Sequence, residues 1–182
     1  MPTSPEPLPV LHGPRVTLRP MRDAEAAGLA VRLATDEQTS SRMGANPATI
    51  ERWITHEDVS TYVVEHDDEI IGVITFEEID DPDYMAASMD IGMFAGSTDR
   101  GLGSETLRVL ATYLIDERGH HRLTIDPAAD NARAIRAYEK VGFRPIGIAR
   151  EYERLDDGSW HDNLIMDLLA KELSRLPDAP PS

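Results

Sequence analysis

Arg100-Gly101-Leu102-Gly103-Ser104 sets two glycines at the opening of an apolar helix pattern, an arrangement suited to an anion. A glycine turn that starts a helix aims backbone N–H groups and the positive helix end at one point, where a pyrophosphate could sit. The same glycines also fit a plain tight turn. A dinucleotide fingerprint would need a third glycine at Thr106, and a P-loop would need Gly-Lys-Ser/Thr; neither is present. Asp126 ends a short apolar run, at the strand end where ligand sites of parallel α/β segments gather. It is equally placed to cap the turn Pro127-Ala128-Ala129. Tyr138, a neutral phenol at pH 7, can donate a proton or simply pack its ring beside Ile135. His120, His121 and His161 read as surface or packing residues, and no group has metal-ligand spacing, so no metal is expected. Trp53 reads as core on an apolar helix face, with a substrate cleft as the other reading for it and for Tyr84.

Elements able to position these residues follow from periodicity. Residues 15–20 alternate as a strand, and Asp23 can cap a helix running to about Ala34. A second helix is expected from Thr49, with Ile50, Trp53 and Ile54 inside. Residues 61–65 and 70–76 form a hairpin around 66–69, and a third strand, 87–94, follows the acidic loop 80–84. Leu107, Leu110, Ala111 and Leu114 repeat at i, i+3, i+4, i+7, a stripe that must cover a sheet. Residues 122–126 are a strand, Asp130 or Asn131 caps a helix through Lys140, Gly142 ends it, and 143–149 returns as a strand. The last hairpin turns at 156–159 into 163–169. The pattern predicts a mixed α/β sandwich of three layers. Five of the 13 prolines fall in the first fourteen residues and three in the last six, so 1–14 and 177–182 read as irregular tails around one domain, 15–176.

Charge divides the same chain in two. The 182 residues carry 18 Lys plus Arg against 33 Asp plus Glu, a formal net charge of −15, with no cysteine. Such a balance repels nucleic acid and anionic membranes, and it attracts polycations. Without Cys there is no disulfide framework, thiolate metal site or cysteine nucleophile. No signal sequence or long apolar run is visible, and a cytoplasmic location is expected. Between Trp53 and Asp99 lie thirteen acids and no Lys or Arg, a local charge of −13; from Arg100 to Arg154 ten cations face eight acids, giving +2. Two ligand surfaces of opposite sign are one reading, and a solvated acidic face is the other.

Asp90-Ile91-Gly92-Met93-Phe94, the Arg100–Ser104 turn, Ile125-Asp126-Pro127, and the run from Asn131-Ala132-Arg133-Ala134-Ile135-Arg136 through Ala137-Tyr138-Glu139-Lys140-Val141-Gly142-Phe143 together resemble the GNAT superfamily of acyl-CoA-dependent N-acetyltransferases. The resemblance implies a central sheet partly splayed at the strand ending near Met93 and Phe94, whose free backbone groups hold the pantetheine arm of acetyl-CoA. It implies that Arg100, Gly101, Leu102, Gly103 and Ser104 receive the pyrophosphate, and that Asn131 and Tyr138 lie near the pantetheine and thiol. The family's usual Arg or Gln three residues before the first glycine is Thr98 here. An alkyl ammonium, with a pKa of about 10.4, must lose its proton before it can attack a thioester. The resemblance nominates Asp90 for that task, with a chain of waters as the other reading, and Tyr138 as proton donor to the leaving thiolate.

Two subfamilies supply the rest. Residues 124–131 with 133–140 are similar to aminoglycoside 6′-N-acetyltransferases, whereas 150–154 with 157–162 look like the ribosomal-protein N-terminal acetyltransferases. The acidic middle favours a compact polycationic amine as partner, with Asp90, Asp126 and Glu78 as its contacts. A tryptophan pair common in the antibiotic-modifying enzymes is replaced by Ser40, Ser41, Arg42 and Met43. The expected activity is direct attack by an aminoglycoside 6′-amine in a ternary complex. The rivals are an N-terminal protein acetyltransferase and an acyl-CoA-binding sensor without turnover. Either a monomer or a homodimer is compatible with the sequence.

Overall fold

The computed structural model describes residues 7–36, 39, 46–79, 81–98 and 100–176. Strand β3 (Ser60–His66) turns Tyr62 and Val64 to one buried face and Val63 to the other, and β4 (Glu69–Ile79) does the same with Ile74 and Phe76 against Val73. Apolar alternation on both faces requires cover on both sides. Helix α3 (Leu102–Asp116) supplies one layer through Leu107, Leu110, Ala111 and Leu114. Helices α1 (Ala26–Thr35) and α2 (Pro47–Ile54) supply the other through Leu29, Ala30, Leu33, Ile50 and Ile54. The predicted three-layer α/β sandwich is what forms.

The sheet has eight strands in the order β1-β2-β3-β4-β5-β6-β8-β7, with β1 Leu11–His12, β2 Thr17–Pro20, β5 Ala86–Met93, β6 Arg122–Ile125, β7 Arg144–Arg154 and β8 Trp160–Leu169. All pairings are antiparallel except β5 with β6. That one parallel pairing is short, limited to Ala87 opposite Leu123 and Ser88 opposite Thr124. Beyond Ser88, β5 keeps its bonds to β4 and leaves β6, so the sheet is splayed there, as expected. Helix α4 (Ala132–Glu139) stands beside the opening, capped by Asn131, whose side chain accepts the Ala134 N–H at 3.2 Å.

A bulge sets the far side of the splay. Val64 faces Gly72 while Glu65 faces Ile70, which leaves Ile71 as an extra residue in β4. A Cβ on Gly72 would lie 2.5 Å from the Gly92 carbonyl oxygen and 2.9 Å from Met93 Sδ. Gly72→Ala is therefore expected to cost roughly 1–3 kcal/mol and to lower Tm by several degrees. Because the displaced atoms belong to the splayed strand, KM for acetyl-CoA should rise with it. Thermal melts and steady-state kinetics on the one variant check both effects.

Several boundaries differ from expectation. Leu11 and His12, placed in the tail, pair with Leu18 and Thr17, and Leu11 is buried, so residues 11–12 of the supposed 1–14 tail belong to the sheet. Helix α2 begins two residues early because Asn46 accepts the Thr49 N–H at 3.0 Å and Pro47 takes the first helical position, where no N–H is needed. The β3–β4 turn is tighter than predicted: Asp67 and Asp68 alone make it, both with positive φ. Strand β7 runs to Arg154 rather than stopping at residue 149. Its register slips between Ala149 and Glu153, where Glu151 sits at φ 49 and donates its N–H to Asp162 at 2.8 Å. The 40–43 replacement of the tryptophan pair lies outside the described residues.

Candidate active site

Gly101 adopts φ 76 and hands the chain into α3, whose first N–H groups have no partner within the helix. A groove of about 350 Å³ lies against that end, lined by Gly101, Gly103, Ser104, the splayed Ile91, Gly92 and Met93, and by Arg136 on α4 with Lys140 at its C-cap. Glu105 fixes this turn to the start of β2. Its buried carboxylate accepts the Arg15 N–H at 2.6 Å, the Val16 N–H at 3.2 Å and Arg15 Nε at 2.7 Å. A helix N-terminus, a splayed strand and the three cations Arg133, Arg136 and Lys140 suit a long ligand with phosphates at one end, so the groove fits acetyl-CoA.

Not every residue expected to hold that ligand faces it. Met93, Gly101, Gly103, Ser104, Asn131 and Tyr138 line the groove. Phe94 does not: its ring is buried in the α1–α2 core under Arg32, 3.8 Å from the centroid, and its N–H is taken by Ile71. Leu102 is buried in the α3 core, so only its backbone remains at the helix start. Arg100 turns away, with its guanidinium 3.4 Å from His66 Nε2 and its carbonyl accepting Arg15 at 3.0 Å. The cations facing the groove are Arg133 and Arg136 on α4 and Lys140 at its C-cap, one face that the i, i+3, i+7 spacing could have marked.

A second cavity, about 490 Å³, opens on the α2 side of the splay and is lined by Thr49, Ile50, Trp53, Asp90, Asp126, Tyr138, Tyr152, Glu153, Arg154 and Asn163. The Asn46 N–H donates to Asp156, which ties the N-terminus of α2 to the tip of the β7–β8 hairpin across it. Asp90 lines the cavity with its side chain exposed there, and it accepts the N–H of Ile91 at 2.7 Å. Poor solvation, reinforced by the charges of Asp126, Glu153 and Glu77, pushes its carboxyl up to about 7. Asp126 is raised by the same burial, partly offset by hydrogen bonds from Asn163 and Tyr152, and Glu153 is raised by burial and Asp126.

Glu78 is not in this cavity. Paired strands place Thr75, Glu77, Ser88 and Asp90 on one face, and Glu78 falls on the other with Phe76 and Met89. There it accepts Arg118 through both oxygens, at 3.0 and 2.8 Å, and lies 2.7 Å from His120 Nε2, clamping the end of α3. Thr49, Tyr152, Glu153, Arg154 and Asn163 are among the lining residues that sequence reasoning missed. Trp53, read as core, lines the cavity with part of its surface.

The two cavities share Ile91, Asn131 and Tyr138. Tyr138 is buried, tilted against Phe143 at 6.3 Å, and its hydroxyl is held far above the usual phenol range by burial and by the charges of Asp90 and Asp126. It keeps its proton at any working pH. A neutral donor thus stands between a basic-ended groove and a carboxylate-lined cavity, an arrangement able to join two ligands.

Known proteins resemble the chain in sequence and in fold. Over 103 residues the chain is 26% identical to a probable N-acetyltransferase, YjcK, of Bacillus subtilis, covering 57% of this chain and 56% of that one. Over 72 residues it is 33% identical to a kanamycin resistance protein of Rhizobium radiobacter, covering 40% and 66%. The matched region thus spans about half to two thirds of these curated relatives. In fold it is similar to Mycobacterium smegmatis RimJ in complex with CoA-disulfide, at a TM-score of 0.74 and 23% identity over 94% of this chain and 90% of that one. Residues 15–144 match the family model of the acetyltransferase (GNAT) domain, and the chain belongs to that family.

Proposed function

We propose that the protein is an acetyl-CoA-dependent N-acetyltransferase that acetylates a polycationic amine, the 6′-amine of an aminoglycoside, by direct attack in a ternary complex. The observation that carries the reading is the sharing of Tyr138 by two cavities of opposite character. When bound, acetyl-CoA supplies an acetyl group activated as a thioester. Gly101, Gly103 and Ser104 with Arg136 and Lys140 hold its phosphates, and the backbone of residues 91–93 aligns its arm. Asp90 takes a proton from the acceptor nitrogen, which leaves a neutral lone pair directed at the junction. Tyr138 Oη offers its proton at that junction to the departing sulfur and takes back the second proton that the acylated nitrogen sheds, so the thiol leaves neutral and the phenol is restored. A similarity to the Rhizobium radiobacter kanamycin resistance protein supports the aminoglycoside. The resemblance of residues 150–154 and 157–162 to the ribosomal-protein N-terminal acetyltransferases keeps a peptide N-terminus as the second acceptor to try.

Thiol release from acetyl-CoA, measured with kanamycin and with peptides bearing free N-termini in parallel, tests the reading. Turnover of kanamycin is expected; turnover of peptides alone would move the acceptor to the rival class. Long-range attraction has its own signature. Raising ionic strength from about 0.01 to 0.15 M shortens the Debye length from about 30 to about 8 Å. KM for kanamycin should rise severalfold over that interval while kcat holds, and a flat KM would remove steering by the acidic cavity.

A further inference from the structure

Arg15 and Glu105 line neither cavity, yet together they grip the turn on which the groove depends. Glu105, in the first turn of α3, is 3% exposed, and its carboxylate lies among four donors. The N–H groups of Arg15 and Val16 reach Oε1 at 2.6 and 3.2 Å, and Arg15 Nε and Nη2 reach Oε2, each at 2.7 Å. The Arg15 carbonyl accepts from His66 Nδ1 at 2.8 Å, so both main-chain polar groups of Arg15 are engaged.

The remaining nitrogen reaches across the turn. Arg15 Nη1 donates to the Arg100 carbonyl at 3.0 Å, one residue before Gly101, and Nη2 stands 3.6 Å from where a Cβ on Gly101 would lie. One guanidinium thus holds the turn at both ends, residue 100 through a carbonyl and residue 105 through a carboxylate. Gly13 leaves room for this: a Cβ there would lie 3.2 Å from Glu105 Oε1 and 2.7 Å from Val109 Cγ2.

Anchoring β2 does not require the pair, because four residue pairs with β3 and the buried Val16 and Leu18 already secure that strand. A buried ion pair often adds little net stability over apolar side chains of the same shape. Its effect on the groove is more direct. The first N–H groups of a helix converge on an anion only while the turn before them keeps its angle, and Gly101, at φ 76, is the joint of that turn. A lone carboxylate at that helix end would also repel phosphates, and the guanidinium cancels its charge.

We infer that Glu105, paired with Arg15, is a positioning residue for the phosphates of the acyl donor: the pair sets the 100–105 turn so that the α3 N–H groups face the groove. This inference rests on the reading of that groove as the acetyl-CoA site. Neither side chain touches the donor or takes part in the proton transfers.

Two acyl donors separate positioning from general damage: acetyl-CoA, and S-acetylpantetheine, which carries the same thioester arm without phosphates. Glu105→Gln keeps an acceptor for the two N–H groups but sets an amide against the guanidinium. In it KM for acetyl-CoA should rise about tenfold, the scale of one charge-assisted contact, while kcat holds. Its kcat/KM for S-acetylpantetheine should stay at the wild-type value. Arg15→Met, at a half-exposed side chain, should raise KM for acetyl-CoA further, since it leaves the carboxylate uncancelled. Adding Glu105→Gln to Arg15→Met should recover part of that loss. Equal losses with both donors, or no loss with acetyl-CoA, overturn the positioning role. Calorimetric titration with CoA and with pantetheine needs no acceptor and keeps the two ideas apart. A wild-type preference for CoA that both single variants reduce supports the inference, and a preference that they retain overturns it alone. If wild type binds CoA and pantetheine equally, or binds neither, the reading of the groove falls and the inference with it.

Discussion

Asp90→Asn should lower kcat/KM by about 10²–10³-fold at pH 7, the range expected for loss of a positioned base. Its pH dependence is the sharper readout. With a carboxyl near 7, wild-type activity should climb through pH 7 to a plateau above it, because only the ionised form can accept the acceptor's proton. The Asn variant should lose that limb and keep its affinity for acetyl-CoA. Stability should move the other way. Below about pH 3.9 Asp90 is protonated folded and unfolded alike, and it contributes nothing. As pH rises from there to 7, the unfolded chain ionises first, so wild type loses stability progressively and bears the full penalty above 7. Asp90→Asn has no such penalty and should melt higher than wild type at pH 8 but not at pH 4. A variant that kept the limb would take Asp90 out of the base role.

Tyr138→Phe should lower kcat by about 10²-fold while leaving the melting temperature close to wild type, because a phenylalanine ring keeps the packing against Phe143. The loss should be uniform with pH. Tyr138 is protonated throughout the working range, so removing its hydroxyl changes the height of the profile and not its shape. The two substitutions are thus distinguishable on one plot. Pre-steady-state release of CoA thiol locates the defect, and wild-type release in the Phe variant would leave Tyr138 as a packing residue only.

What the sequence made legible was whatever local spacing encodes. The α3 stripe, a helix cap at Asp130 or Asn131, the glycine turn and the alternation of β3 and β4 all depend on neighbours within a few residues, and all are legible; the structure selects Asn131 as the cap. Glu77 and Glu78 show the limit. They are adjacent acids of equal chemistry, and only the register of β4 against β5 decides that Glu77 shares a face with Asp90 while Glu78 faces Arg118. Phe94 and Leu102 were assigned by position within a motif, yet each spends its side chain on a core and leaves only backbone near the groove. Glu153 and Asn163 were illegible for a different reason. A bulge of two residues in β7 brings Glu153 to the cavity, and no periodicity announces a bulge.

That bulge has a second bearing, on solubility. Strand β7 is the outermost of the sheet, eleven residues long, with Ile146, Ile148 and Tyr152 about half exposed. A straight strand of that composition would be a template for a foreign chain to add to, the usual beginning of aggregation. Pro145 removes one donor, register slips at 145–147 and 149–153 break the row, and Glu151 kinks it. The distortion that brings Glu153 to the cavity therefore also spoils the edge as a nucleus for fibrils. Regularising it, for instance by deleting residues 150 and 151, should take Glu153 out of the cavity lining and cost the protein its resistance to clumping in a single step.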